Sequence, residues 1–171
     1  MVLTDVKDGK SMLNKIVLLM ILIVPWFTLF LLKKEEIKRY MPAAIFASFL
    51  MIIYNVISKN LMHWEIKETL IPVLKPLFVS GVFGLFPVIV IWIFYFTYRK
   101  FWKYLLANII LDFMFAIFPI HYWLQDILGI YKLINITKWE RFILFVATSV
   151  VIYGFYKWQE EIIKPEITGA K

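Results

Sequence analysis

Apolar residues are distributed along this chain in five long runs, the pattern of a protein that crosses a membrane several times. A membrane-spanning helix needs about 20 mostly apolar residues, because each residue adds about 1.5 Å across a hydrocarbon core about 30 Å thick. The runs predict five spans, at about residues 16–32, 41–57, 77–98, 104–124 and 142–158. We therefore expect an all-α polytopic membrane protein: a single membrane domain over residues 1–171, a bundle of five transmembrane helices with a short extramembrane N-terminus and a C-terminal tail.

The amino-acid composition excludes a soluble protein. Hydrophobic residues make up 62% of the chain and charged residues 18%, against about 45–50% and about 25% in an average soluble domain. So small a chain could not bury that much apolar surface in a core of its own. A soluble enzyme, a nucleic-acid-binding protein and a disordered tail are excluded, and the lipid bilayer is the first partner that we expect.

The formal net charge of +7 adds an orientation to this picture. Many of the cations lie in two short connections between predicted spans, Lys33 to Arg39 and Arg99 to Lys103. Short cationic connections are typical of the cytoplasmic side of a membrane, so we expect the N-terminus outside and the C-terminus in the cytoplasm. Lys greatly outnumbers Arg, which is typical of AT-rich coding and favours a low-GC bacterium, and hence a bacterial cell membrane.

Asp112 is the one ionisable residue well inside a predicted span, where an acid costs about 2.5–3.5 kcal/mol on insertion scales. That cost predicts that Asp112 points into the bundle, on the same helix face as Asn108. A protonated carboxyl there could donate a hydrogen bond to Asn108 or to a free carbonyl. We also expect Asn55 of the second span to meet Asp112. Two interpretations stay open: an acid that only holds helices together, which we favour, and a proton, cation or substrate site.

Small residues on the second and third spans predict close helix packing. Ala44 and Ser48 lie on one narrow face of the second span. Ser80 and Gly84 are one turn apart on the third span and allow another helix to approach closely. We expect both faces to be packing seams.

Three prolines fall within predicted spans: Pro25, Pro87 and Pro119. A proline lacks the N–H that would bond to the carbonyl four residues earlier, so each leaves one carbonyl without its helical partner. Such prolines are tolerated in membrane helices when neighbouring groups satisfy the freed carbonyls, and we expect each to mark a bend.

The regions outside the spans carry both apolar and charged residues. The connection over residues 125–140 is expected either to lie on the membrane surface or to pack on the bundle as an ordinary loop. The last span is short, and Arg141 and Lys157 at its ends are expected to snorkel to the headgroups. Residues 162–171 are expected to be a mobile end.

The sequence carries no motif of catalysis. It lacks a phosphate loop, a nucleophile elbow and a zinc-protease motif. The absence of Cys excludes disulfides and thiolate chemistry, and His63 and His121 are too few for a self-contained metal site. We therefore expect no enzyme activity, no cofactor and no metal.

Five features from Trp64 onward recur together in a known family. They are Trp64-Glu65, Phe86-Pro87, Phe94-Tyr95-Phe96, the cationic turn Lys100 to Lys103, and Leu128-Gly129-Ile130-Tyr131. In their order they resemble a family of small, uncharacterised five-span membrane proteins of low-GC Gram-positive bacteria, over about two thirds of the chain. The resemblance implies the five-span layout, and no activity is attached to it.

Two functions follow from these features. The first is a non-catalytic packing or accessory component of a membrane complex, as a homo-oligomer or within a larger assembly, because the seams offer packing faces and no catalytic motif is present. The alternative is a small transporter or channel component that uses Asp112, because an acid inside the membrane is costly to keep.

Overall fold

The structure, a computed structural model, describes residues 2–163, with side chains over residues 9–161. Most of the predicted mobile end lies outside these residues. Within them the elements follow in the order α1 (Val2–Thr28), α2 (Lys34–Asn60), β1 (Trp64–Ile66), α3 (Phe86–Thr97), α4 (Phe101–Ala116), α5 (Ile120–Tyr122), β2 (Tyr131–Leu133) and α6 (Lys138–Ile163). Two five-residue π-helical segments extend α3 and α5, at Gly81–Leu85 and Trp123–Ile127.

The all-α prediction is confirmed. Four helical segments are long and apolar enough to cross a membrane, as in a multi-pass membrane protein: Gly9–Leu31, Lys34–Asn60, Phe101–Ile127 and Lys138–Glu161. A fifth apolar helix, Gly81–Thr97, is shorter. It begins later than the predicted third span, because residues 72–77 form turns around Pro72 and Pro76.

The chain crosses the bundle five times, so its connections fall at two ends. We call the end that carries β1 and β2 the sheet end. The opposite end, where the short connections place Arg39 and Arg99, is the arginine end. Near the arginine end, Phe94 of α3 is buried among aromatic rings from three other helices: those of Tyr40, Tyr104, Tyr153 and Tyr156.

The predicted packing residues lie between helices of this chain. Ala44 and Ser80 are buried, and the Ser48 hydroxyl donates to the Val82 carbonyl over 2.8 Å. Gly84 lies so close to α1 that a Cβ there would be 2.5 Å from the backbone of Ile21. The seams are thus occupied within one chain, with α2 on one side of α3 and α1 on the other.

Two of the prolines each leave a carbonyl without its helical N–H partner, and donors from other helices bind these carbonyls. Pro87 cannot bond to the Phe83 carbonyl, and the Trp26 indole of α1 donates to that oxygen over 2.9 Å. Pro119 cannot bond to the Phe115 carbonyl, which accepts from a side chain of α6 as described below. At Pro119 the change is more than the expected bend, because α4 ends at Ala116.

The two longer connections pair with each other across the sheet end. β1 and β2 are antiparallel, with Glu65 opposite Lys132 and Ile66 opposite Tyr131. Ile130 and Tyr131 are buried against the bundle. Of the two interpretations of residues 125–140, the structure therefore supports the loop packed on the bundle and not the segment on the membrane surface.

Candidate functional site

The first candidate site is a small cavity inside the bundle, between α2, α3, α4 and α6. Its volume is about 60 Å³, which is room for a few water molecules, since one needs about 10–15 Å³ of such space. Most of its lining is apolar. Four polar residues also line it: Asn108, Asp112, Thr148 and Ser149.

Asp112 reaches this cavity from α4, one turn before the helix ends at Ala116. Its side chain is half-buried, and Oδ2 is buried without a hydrogen-bond partner among the described residues. No hydrogen bond joins this oxygen to Asn108, whose amide N–H donates to the Tyr104 carbonyl of its own helix over 2.8 Å. A buried carboxyl oxygen without a donor is costly, so Oδ2 marks the point at which the cavity would accept a proton or a cation.

The hydroxyl groups of the cavity lining are acceptors as well. The Thr148 hydroxyl donates to the Leu144 carbonyl and the Ser149 hydroxyl to the Val146 carbonyl, both over 2.8 Å. Each hydroxyl has only one proton, which these bonds use, so the oxygens can only accept a hydrogen bond from a guest in the cavity. The polar part of the cavity is therefore lined mainly by oxygen acceptors, with the second N–H of the Asn108 amide as a donor, and this suits a positively charged or proton-bearing guest.

Asn55, predicted to meet Asp112, lies elsewhere. It is fully buried on α2, and its amide donates to the Met51 carbonyl over 2.6 Å. Its Oδ1 accepts the backbone N–H of Phe78 over 3.0 Å. Asn55 does not line the cavity, and no hydrogen bond joins it to Asp112 within residues 9–161. It fixes the start of the third membrane segment against α2, so the expected contact is wrong.

Arg141 forms a second polar site, which the sequence did not indicate. α6 begins with a capping box, in which the Thr137 N–H donates to Glu140 over 2.7 Å and the Glu140 N–H donates to the Thr137 hydroxyl. This start places Arg141 in the first turn, where it is 2% exposed. The expectation that Arg141 snorkels to the headgroups is therefore wrong.

The Arg141 guanidinium closes the end of α4. Its Nη2 donates to the carbonyls of Phe115 and Ala116, over 2.8 and 3.1 Å. These are the last carbonyls of the helix, where the helix dipole is negative and a cation is stabilising. Within residues 9–161, Arg141 forms no ion pair with a carboxylate. Backbone oxygens take the place of a counter-ion.

The same guanidinium fixes the proton on His121. Arg141 Nη2 lies 2.8 Å from His121 Nδ1. A guanidinium only donates, so Nδ1 accepts and the proton of a neutral imidazole sits on Nε2. Tyr131 of β2 also contacts Nδ1 through its hydroxyl, at 2.8 Å. Burial raises the pKa of the Tyr131 phenol, although Arg141 opposes that shift, so the hydroxyl keeps its proton at neutral pH.

The two sites are neighbours. Phe145 lines the Asp112 cavity, and its ring centre also lies 5.8 Å from the Arg141 guanidinium. Phe115 lines the same cavity, while its carbonyl binds Arg141. An acid on α4 and a guanidinium on α6 therefore lie on facing helices, with aromatic side chains between them.

The signal that could have located Arg141 is Pro119. That proline leaves the Phe115 carbonyl without its helical partner, and a freed carbonyl inside a membrane needs a donor from elsewhere. Arg141 is a strong donor at the start of the following long helix. Only the folded arrangement of α4 against α6 shows that the two meet.

Comparisons of the chain with protein-family models, with curated proteins and with solved structures give no match. The part of the chain that the structure describes contains no group of three or more His, Asp or Glu placed to hold a metal ion.

Proposed function

We propose that this chain is a multi-pass protein of a bacterial cell membrane that takes up a proton or a small cation at Asp112, as a component of a transporter or channel. The observation that carries the proposal is the buried, unpaired Oδ2 of Asp112 in a cavity whose polar lining is mainly oxygen acceptors. Ionisable residues inside membrane helices are costly and commonly mark the paths of ions and protons. We propose no chemical reaction and no enzyme activity.

The hydrogen bonds favour this proposal over a purely structural acid. A carboxyl that holds helices together must bond to a neighbouring helix, as the Ser48 hydroxyl does to the Val82 carbonyl. Oδ2 of Asp112 has no such partner among the described residues. Helix packing near the cavity is supplied by other groups, such as the Tyr104 hydroxyl, which donates to the Ser149 carbonyl over 2.9 Å.

The lining of the cavity favours a proton over a metal cation. A metal cation would need several ligands, and the one carboxylate in the lining is that of Asp112. A proton needs a single acceptor and neutralises the carboxylate in place.

The experiment is a flux measurement on the purified chain in liposomes that contain a pH-sensitive dye. We expect the wild-type chain to carry proton-linked flux and Asp112→Asn to abolish it, because the amide cannot take up a proton. Asp126→Asn is the matched control, since it removes an exposed acid of the same span that does not line the cavity. Unchanged flux in Asp112→Asn would contradict the proposal.

The accessory role is the second candidate, and a groove on the outer surface favours it. The groove has a volume of about 610 Å³, and its lining from α1 and α2 is apolar, including Leu22, Trp26 and Met41. It could receive a helix of another subunit, whereas the small-residue seams are already occupied within the chain. Mass measurement after extraction in mild detergent tests this role, and a strictly monomeric particle without a partner would count against it.

We also propose that the arginine end faces the cytoplasm, because its connections are the short cationic ones. The chain contains no Cys, so single cysteines can be introduced without background. We expect Lys67→Cys at the sheet end to react with a membrane-impermeant maleimide on intact cells, and Lys100→Cys at the arginine end to react only after lysis. The reverse pattern would invert the orientation. Membership of the resembling five-span family stays a prediction.

A further inference from the structure

A second polar cavity lies at the arginine end, outside the site described above. Its volume is about 390 Å³, and α2, α6 and the turn after α3 line it. Its cations are Lys38, Arg39 and Arg99, and its acids are Glu35 and Glu160. One positive charge is therefore in excess in its lining, at the level where the helices end.

Two of the three arginines of the chain meet on one ring in this cavity. The guanidinium carbon of Arg39 lies 5.2 Å from the centre of the Tyr98 ring, and that of Arg99 lies 4.9 Å from it. Both distances are within the range of a cation–π contact. Elsewhere at this end the cations are lysines, so the geometry of the guanidinium, and not charge alone, distinguishes the cavity.

Each guanidinium keeps donors for a ligand. Arg39 Nη1 binds Glu36 at 3.3 Å, and Arg99 Nε binds Glu160 at 3.2 Å. Their side chains remain 45% and 50% exposed. A guanidinium has five N–H donors in a planar fork that matches the oxygens of a phosphate. After these ion pairs, both forks have unbound N–H groups at the cavity.

The backbone holds Arg99 in an unfavourable conformation. Its φ is 59°, in the left-handed region that residues with a Cβ rarely adopt. The turn at this residue places its guanidinium over Tyr98 and beside Glu160 of α6. Backbone conformations of this kind are concentrated at ligand sites.

A second group in the cavity points to a hydroxyl on the ligand. Gln159 lines the cavity, and its Oε1 is buried without a hydrogen-bond partner among the described residues. An amide oxygen accepts from a hydroxyl group. The two guanidinium groups can donate to a phosphate, and the free Gln159 oxygen can accept from an alcohol. Together they suit a ligand in which a hydroxyl group lies near a phosphate.

We propose that the cavity between Arg39, Arg99 and Gln159 binds a glycerol-phosphate group, such as the headgroup of an anionic phospholipid. The forks of the two arginines hold the phosphate, and Gln159 accepts a glycerol hydroxyl. The binding is independent of Asp112, which lies in a separate cavity.

The test is the thermal unfolding of the full chain in a maltoside detergent, followed by tryptophan fluorescence. Three probes are added separately: short-chain phosphatidylglycerol, short-chain phosphatidylcholine, and glycerol 3-phosphate. At about ten times the dissociation constant, phosphatidylglycerol should raise the unfolding temperature by about 3 °C, because a ligand of the folded state stabilises it. Phosphatidylcholine should not. An equal shift with glycerol 3-phosphate would identify a soluble phosphate ester as the ligand of this site.

Two double variants separate a site from general attraction of anions. Arg39→Lys with Arg99→Lys keeps every charge but removes both forks, and it should lose the shift. Lys100→Gln with Lys103→Gln removes two exposed charges outside the cavity at the same end, and it should keep the shift. Gln159→Leu, which leaves both arginines intact, should reduce the shift even if the first variant folds poorly. A full shift in the Arg-to-Lys variant, or no shift with either glycerol-phosphate probe, would overturn the proposal.

Discussion

The arginines at the two ends of the bundle are buried to very different degrees. Arg39 and Arg99 at the arginine end are about half exposed, and each pairs with a glutamate. Arg141 at the sheet end is 2% exposed and has no carboxylate partner within the described residues. Its acceptors are two helix carbonyls and an imidazole nitrogen.

The difference shows what can replace a counter-ion inside a membrane. A carboxylate brought in to pair with Arg141 would itself have to lose its water, at a large cost. The last carbonyls of α4 are already present and unbonded, and together they carry partial negative charge. Arg141 therefore donates hydrogen bonds to the last carbonyls of α4, and these carbonyls supply acceptors for the buried guanidinium. Charge pairing dominates around the two exposed arginines, and hydrogen bonding to the backbone dominates around the buried one.

The largest expected effect that tests this comparison is that of Arg141→Leu. The Nη2 group has two N–H donors, which three acceptors share, so two charge-assisted hydrogen bonds would be lost, worth about 1.5–3 kcal/mol each with incomplete additivity. We expect the free energy of unfolding to fall by about 2–4 kcal/mol, measured by titration of detergent-solubilised protein with sodium dodecyl sulfate.

Arg99→Gln is the matched control for that variant. It removes an exposed guanidinium with a single carboxylate partner, and exposed ion pairs contribute little to stability. We expect its unfolding curve to overlay that of the wild-type chain. Equal losses in the two variants would contradict the difference drawn here between the two ends.

A small effect on stability is also expected of Asp112→Asn. Since Oδ2 forms no hydrogen bond among the described residues, an amide of the same shape leaves no partner unpaired. We expect a change within about 0.5 kcal/mol in the same titration, near the average of about 0.6 kcal/mol for a hydrogen bond between membrane helices. A loss well above 1 kcal/mol would return Asp112 to the role of an acid that holds helices together.

Much of the fold could be predicted from the sequence, because the length of an apolar run follows directly from the thickness of a bilayer. The helices predicted over residues 16–32 and 41–57 are where the runs place them: α1 begins earlier and ends at Thr28, and α2 extends beyond its run at both ends, from Lys34 to Asn60. The pairing of β1 with β2 could not be predicted in this way. It joins residues 64–66 to residues 131–133, and such a contact exists only after α3 and α4 have brought the two connections together.

The candidate site was predictable only in part. Asp112 could be identified from the sequence because a charged residue within an apolar run is unusual. Arg141 was not, since a cation at the end of a short span usually reaches toward the headgroups. Asn55 was assigned to the wrong partner, because spacing along α2 gives a helix face and not the group that occupies it. The prolines offered the missing information, since each specifies a carbonyl that some other residue must bind.

The closure of α4 by Arg141 also has a consequence for biosynthesis. Polypeptides emerge from the ribosome N-terminus first, so α4 is made before residue 141. Until then the carbonyls of Phe115 and Ala116 lack the guanidinium that they bind in the folded chain. A later helix thus completes an earlier one, and a ribosome product that stops before residue 141 would leave these two carbonyls without their donor.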